Sequence, residues 1–206
     1  MQALSYIDKI FYINLESRPD RRKQVEDQLK AAGIPEDKIE RISAVHQPYV
    51  GIGCSQSQIQ ALELAIDRNY QHVIVIEDDI QIRDPNNFLS QLRQVFIDQI
   101  KYKLIFLGAS KEGLEVRPHN DYLGRIVKGR GGVGYLVYGS FLPRLLGAFK
   151  DSLVRLRMTH QHWLYAIDQY MMNLYDSQTL IFQPTLIYQG QSYSDLAHQE
   201  VKYETA

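Results

Sequence analysis

The chain has 206 residues, 45% apolar and 23% charged, which fits one soluble globular domain with its own core. Its 23 Lys and Arg nearly cancel 24 Asp and Glu, which argues against bulk attraction to nucleic acid or membranes but leaves room for a local basic patch. The lone Cys54 excludes an intramolecular disulfide framework and points to a reducing compartment, and no apolar stretch is long enough to span a membrane. Met1 to Lys9 contains an acid and lacks the apolar run of a signal peptide, so the expected location is cytoplasmic, at most peripheral to a membrane.

Strand-like and helix-like segments alternate from the start, which predicts an α/β fold with a mostly parallel central sheet flanked by helices. Lys9 to Leu15 reads as a first strand, and Ser17-Arg18-Pro19 opens a helix whose stripe is Val25, Leu29 and Ala32, closed by Gly33. A second helix is expected after Cys54, with Ile59, Leu62 and Ile66 on one face and Ser55 and Gln58 forming a capping box. His72 to Ile76 is a buried strand, Asp84-Pro85 starts a helix carrying Phe88, Leu92, Val95 and Phe96, and Lys103 to Leu107 is another strand. Lys111 to Lys128 reads as a long surface loop or irregular hairpin, followed by a glycine-rich stretch and a strand from Tyr135 to Tyr138. Helices are expected from about Ser140 to Val154 and from Gln161 to Tyr175, the latter with Trp163, Ile167, Tyr170 and Leu174 as its core stripe. Thr179 to Phe182 and Leu186 to Tyr188 read as late strands, and the tail after His198 as loose.

The segment with the most chemical content is His72-Val73-Ile74-Val75-Ile76-Glu77-Asp78-Asp79. A run of β-branched residues marks a buried strand, and three carboxylates at its carboxyl end repel one another unless water, a basic partner or a cation balances them. In open α/β sheets that end faces the ligand crevice. Side-chain alternation puts Glu77 and Asp79 on one side and Asp78 on the other, an oxygen pair suited to a hard divalent cation carrying a diphosphate. An acidic strand end that merely meets solvent or an arginine is the plainer alternative.

Other segments are weaker. Asn14 and Arg18 lie at a strand end and helix start, where amides and guanidinium groups favour phosphate oxygens, whereas Arg21, Arg22 and Lys23 read as a solvated face with Arg22–Glu26 and Lys23–Asp27 pairs. Cys54 reads as a small buried apolar residue rather than a nucleophile. Asp168 is either a solvated charge or a general base aimed at the crevice, and His198 is either a surface histidine or part of a metal shell.

Taken in order, Tyr12-Ile13-Asn14-Leu15 with Arg18, Asp20 and Arg21, then Gly53-Cys54 with Ser57, Ile76-Glu77-Asp78-Asp79, Gly134-Tyr135, Asp168, and Gln189 with Ser194-Asp195-Leu196 resemble glycosyltransferase family 25, the lipopolysaccharide-type and procollagen-type galactosyltransferases. The resemblance implies a GT-A fold, a UDP-galactose or UDP-glucose donor, Mn²⁺ or Mg²⁺, inversion at the anomeric carbon, and a glycan, lipid-linked glycan or glycoprotein acceptor. It implies that Asn14, Leu15 and Arg18 hold the nucleotide, with Gly53, Ser57, Glu77 and Asp78 lining the donor pocket. The cation would rest on Glu77 and Asp79, with His198 as a further ligand, and Asp168, then Asp195, would be the base. The chain departs from the family at Gln58, where histidine is usual, and is short for it.

A non-catalytic sugar-nucleotide or glycan-binding relative is the competing reading. A nucleotidyltransferase would need an early basic glycine-rich loop, which this sequence lacks.

Overall fold

The computed structural model describes residues 4–130, 133–190, 192–194 and 199–201. Its strands are β1 (Lys9–Asn14), β2 (Ile39–Ser43), β3 (His72–Glu77), β4 (Ile80–Ile82), β5 (Leu104–Gly108), β6 (Glu115–Pro118), β7 (Leu123–Lys128), β8 (Gly134–Tyr138), β9 (Thr179–Phe182), β10 (Ile187–Gln189), β11 (Ser192–Ser194) and β12 (Gln199–Val201). Its helices are α1 (Pro19–Ala31), α2 (Val50–Asp67), α3 (Pro85–Ile97), α4 (Leu142–Thr159), α5 (His162–Tyr165) and α6 (Ile167–Met171).

Eight strands form one sheet in the order β2-β1-β3-β8-β5-β9-β7-β6. Six run in one direction; β8, between β3 and β5, and β7, between β9 and β6, run against them. The buried runs explain the layering. Ile74 and Ile76 join Ile10 and Tyr12 against Val25 and Leu29 of α1 and Phe88 and Leu92 of α3. Val73 and Val75 join Phe11 and Tyr135 against Ile59 and Leu62 of α2 and Leu145 and Phe149 of α4. A strand that is apolar on both faces needs helices on both sides, and this sheet has them.

The local starts follow from particular residues. Pro19 fits the first turn of α1, and Asp84 caps α3 by accepting from Asn86 N at 3.1 Å and Asn87 N at 3.4 Å. The expected surface segment before the glycine-rich stretch is the β6–β7 hairpin. Two glycines let β10 cross the sheet: a Cβ on Gly108 would lie 2.5 Å from Ile187 O, and one on Gly134 2.8 Å from Ile187 Cδ1. β10 then pairs antiparallel with β4, just beyond the acids.

Three local expectations are corrected. α2 begins at Val50, so Ser55 lies inside the helix and bonds Gly51 O at 2.8 Å; Ser55 and Gln58 make no capping box. The helix expected over Gln161–Tyr175 is broken, because Ala166 is extended (φ −61, ψ 148) between α5 and α6. Trp163 is 58% exposed rather than part of a core stripe.

Candidate active site

The turn at the carboxyl end of β3 gathers side chains from both ends of the chain. β3 stops at Glu77, and Asp78-Asp79 form the turn into β4, so strand alternation ends at Glu77. This corrects the expected opposition of Asp78 and Asp79, because both reach the same guanidinium. Arg21 Nη1 lies 3.1 Å from Asp78 Oδ1 and 3.5 Å from Asp79 Oδ2. Asp78 also accepts from Asn14 Nδ2 at 2.7 Å. The same amide donates to Arg18 O at 3.0 Å, and Asn14 Oδ1 accepts from Arg41 Nε at 3.0 Å. Buried Asn14 therefore holds Asp78 and Arg41 in place through both ends of its amide.

Asp79 is only partly satisfied. Its Oδ2 accepts from Gln189 Nε2 at 3.0 Å and its backbone carbonyl from Gly190 N at 2.9 Å, so the segment after β10 is fastened to the acid turn. Its Oδ1 is buried without a hydrogen-bond partner among the described residues. A buried carboxylate oxygen in that state is costly and calls for an explanation, such as an ion.

Glu77 points to the α2 and α4 side, two residues on from Val75. Burial first, then the charges of Asp79, Asp78 and Asp168, hold its carboxyl well above the usual range, with Arg21 opposing. Burial raises Asp168 as well, offset by hydrogen bonds from the α6 backbone and by Arg130 and His162. Burial also raises Asp78, against the pull of Asn14 and Arg21. Cys54 corrects its expectation in part: the residue is exposed rather than buried. Desolvation of its sulfur first, then the charges of Glu77, Asp79, Asp78 and Asp168, push its thiol up to about 12, which favours the protonated thiol and keeps the expectation that it is not a nucleophile. Glu77, Asp168 and Cys54 thus share one electrostatic field although they come from β3, α6 and α2.

The field has a consequence for stability. Between the ordinary carboxyl value of 4.5 and the raised folded value of Glu77, the folded state binds more protons than the unfolded one, so this group's contribution to stability falls as pH rises. Glu77→Gln should unfold like the wild type near pH 4, where both side chains are neutral, and melt higher at neutral pH. A gain of about 1 kcal/mol would raise Tm by about 2–4 °C. Calorimetry across that pH range checks it, and a variant that melts lower at pH 7.5 would show that Glu77 is not strained by its neighbours.

The remaining expected residues fall as follows. Leu15 is half-buried, with its carbonyl accepting from Arg18 N at 3.0 Å. Arg18 is ion-paired with Asp20 at 2.7 Å, which lowers that carboxyl to about 2. Gly53 and Ser57 lie inside α2 and clamp the loop before it: a Cβ on Gly53 would sit 2.4 Å from Val45 O, and Ser57 Oγ accepts from Val45 N at 2.9 Å. Gln58 is buried and accepts from Tyr135 at 2.8 Å, so position 58 braces β8 against α2. Arg22–Glu26 and Lys23–Asp27 form the expected helical pairs. Asp195 and His198 lie outside the described residues.

Arg21 is the residue sequence reasoning misplaced. It sits four residues before Val25 and eight before Leu29, on the buried stripe of α1, and its side chain is 12% exposed. That spacing was the available signal. Two cavities elsewhere, one beside α1 and Arg41 and one beside His72 and Tyr102, contain none of Glu77, Asp78, Asp79 and Asp168.

No family model and no curated protein matches the sequence. Among solved structures, the chain is similar to the crystal structure of mannose-1-phosphate geranyltransferase from Thermus thermophilus, with a TM-score of 0.54 at 9% identity over 86% of this chain and 73% of that one. It is also similar to A197 from STIV, with a TM-score of 0.50 at 10% identity over 94% and 93%. The fold is GT-A-like. A glycosyltransferase involved in the glycosylation of the major capsid of PBCV-1 is more distantly similar, with a TM-score of 0.44 at 9% identity over 84% of this chain and 81% of its own. Such identities speak to the fold alone, and the resemblance to family 25 rests on its motif residues.

Proposed function

We propose that the protein is a metal-dependent inverting glycosyltransferase that moves galactose or glucose from a UDP-sugar to a hydroxyl of a glycan, lipid-linked glycan or glycoprotein. The observation that carries the reading is the partnerless buried Oδ1 of Asp79 in a cluster of acids that burial and mutual repulsion make unfavourable. A cluster built at that cost suits a cation.

Among the described residues, no group of three His, Cys, Asp or Glu side chains could hold a metal ion unaided. Glu77 and Asp79 fit a cation of the Mn²⁺ or Mg²⁺ type that takes one or two carboxylates and completes its shell with substrate phosphates and water. When bound, such an ion would neutralise the departing diphosphate. Arg21 and Asn14 keep Asp78 and Asp79 in register, and Gln189 fixes the second oxygen of Asp79, so the carboxylates are oriented before a donor arrives.

Asp168 would take the proton of the acceptor hydroxyl as the oxygen attacks the anomeric carbon. Burial raises its carboxyl, which makes it a stronger base than a solvated aspartate. The sugar-carbon bond to the diphosphate breaks on the opposite side, which accounts for inversion. Asp195 is the second candidate for this role.

Thermal shift with UDP-galactose, UDP-glucose and other sugar nucleotides, with and without Mn²⁺, tests the reading. A productive donor at about 100 times its Kd should raise Tm by about 5 °C or more, and only with the cation. Donor hydrolysis and transfer are then measured on the same samples. Binding without turnover over a broad acceptor panel would favour the non-catalytic sugar-nucleotide-binding relative, and no Mn²⁺-dependent shift with any sugar nucleotide would refute the transferase reading.

A further inference from the structure

We propose that the outer face of α4, continued by α5, docks the protein on an anionic lipid surface. α4 buries Leu142, Leu145, Phe149, Leu153 and Leu156, and a helix so packed ordinarily turns a polar face outward. Here Val154 is 54% exposed and Met158, one turn later, 79%. At Gly147, two turns before Val154, an added Cβ would meet nothing within 4 Å, so the face stays open along its length. After the left-handed turn at His160, Trp163 is 58% and Leu164 51% exposed. Four of the eight large apolar side chains exposed among the described residues thus fall within residues 154–164, on α4 and on the α5 that packs against it.

The charges name the partner. Residues 142–165 carry Arg144, Lys150, Arg155 and Arg157 against Asp151 alone, a net of +3 in a chain of net charge −1. Lys150 pairs with Glu63 and Arg155 with Asp151. Arg144 and Arg157 have no such partner among the described residues and flank the apolar ridge, where they can meet headgroup phosphates. Apolar residues including tryptophan, bordered by arginine and lysine, are what an interfacial helix presents to a membrane surface. A second copy of this face would set net positive charge against net positive charge, so repulsion disfavours self-pairing. Among the described residues no helix is long and apolar enough to cross the bilayer, so attachment is peripheral.

Docking would also orient the acid turn and Asp168. α6, which carries Asp168, packs on α4, and Tyr170 donates to Asp151 on the same helix. If the proposed transferase reading holds, the base is then set beside the surface that presents a lipid-linked acceptor. Docking itself does not depend on that reading.

Trp163 is the only tryptophan, so its fluorescence reports directly on this face. Vesicles of phosphatidylcholine with about 30% phosphatidylglycerol should shift its emission to the blue and sediment the protein, with binding at least about tenfold tighter than to phosphatidylcholine alone and weakened by high salt. Val154→Asp with Met158→Asp, and separately Arg144→Glu with Arg157→Glu, should each reduce binding at least about tenfold while the circular dichroism spectrum and melting curve confirm folding. Equal binding to both vesicle types, no binding to either, or unchanged binding by both folded variants overturns the proposal. So does a dimer in solution that Val154→Asp with Met158→Asp dissociates, which would make a second copy the occupant.

Discussion

Asp79→Ala is expected to abolish Mn²⁺-dependent UDP binding and leave the fold intact. The side chain offers one buried oxygen with no partner, while its other oxygen is held by Gln189. Removing it deletes a carboxylate of the proposed cation site, and Arg21 still reaches Asp78 at 3.1 Å, so no buried guanidinium is stranded. The structural cost should come from the lost hydrogen bond from Gln189, about 1–2 kcal/mol, and the longer contact to Arg21. Titration calorimetry with UDP and Mn²⁺ reads the effect, and unchanged affinity would remove Asp79 from the metal site. Asp79→Asn should give nearly the same loss, because an amide keeps the shape but supplies no negative charge.

Asp168→Asn is expected to bind the donor as the wild type does and to lose transfer by about two orders of magnitude or more. The reason lies in what each residue touches. Asp168 stands on α6 and makes none of the Asn14, Arg21 and Gln189 contacts that hold the acid turn, so donor affinity should survive its change. An amide cannot accept the hydroxyl proton, so kcat should fall with little change in KM for the donor. Near-normal turnover would exclude Asp168 and direct attention to Asp195. Because burial raises Asp168, the pH profile of the wild type should rise through a value above that of a solvated aspartate and flatten beyond it, and the variant should lose this limb.

The sequence showed the layers of the fold more clearly than the site. Residues 72–76 and 104–107 announce buried strands because their apolar runs have no polar face, and Asp84-Pro85 announces a helix because a cap and a proline coincide. β4 and β10 were harder, the one unmarked and the other read only as a short strand, because each is three residues long and their pairing joins positions far apart in the chain. The break at Ala166 had no local signal, since alanine favours helix. Within the site, the acids were visible as an unusual ending to a strand, and Asp168 only as one of two open readings. Arg21 was obscured by Arg22 and Lys23, whose ion pairs are what helical spacing predicts. Its place on the stripe with Val25 and Leu29 needed to be weighed against its charge. Gln189 carried no role until β10 was seen to lie against the acid turn.

The contact between Gln189 and Asp79 spans 110 residues, and that between Asn14 and Asp78 spans 64. The acid turn is therefore fastened at synthesis to an early segment that is already available and to a late one that is not. During translation the first hundred residues can settle around β1 and β3, yet the turn keeps one loose side until β10 emerges from the ribosome. Competence for the proposed cation should appear as a late, abrupt step in maturation rather than in proportion to chain length.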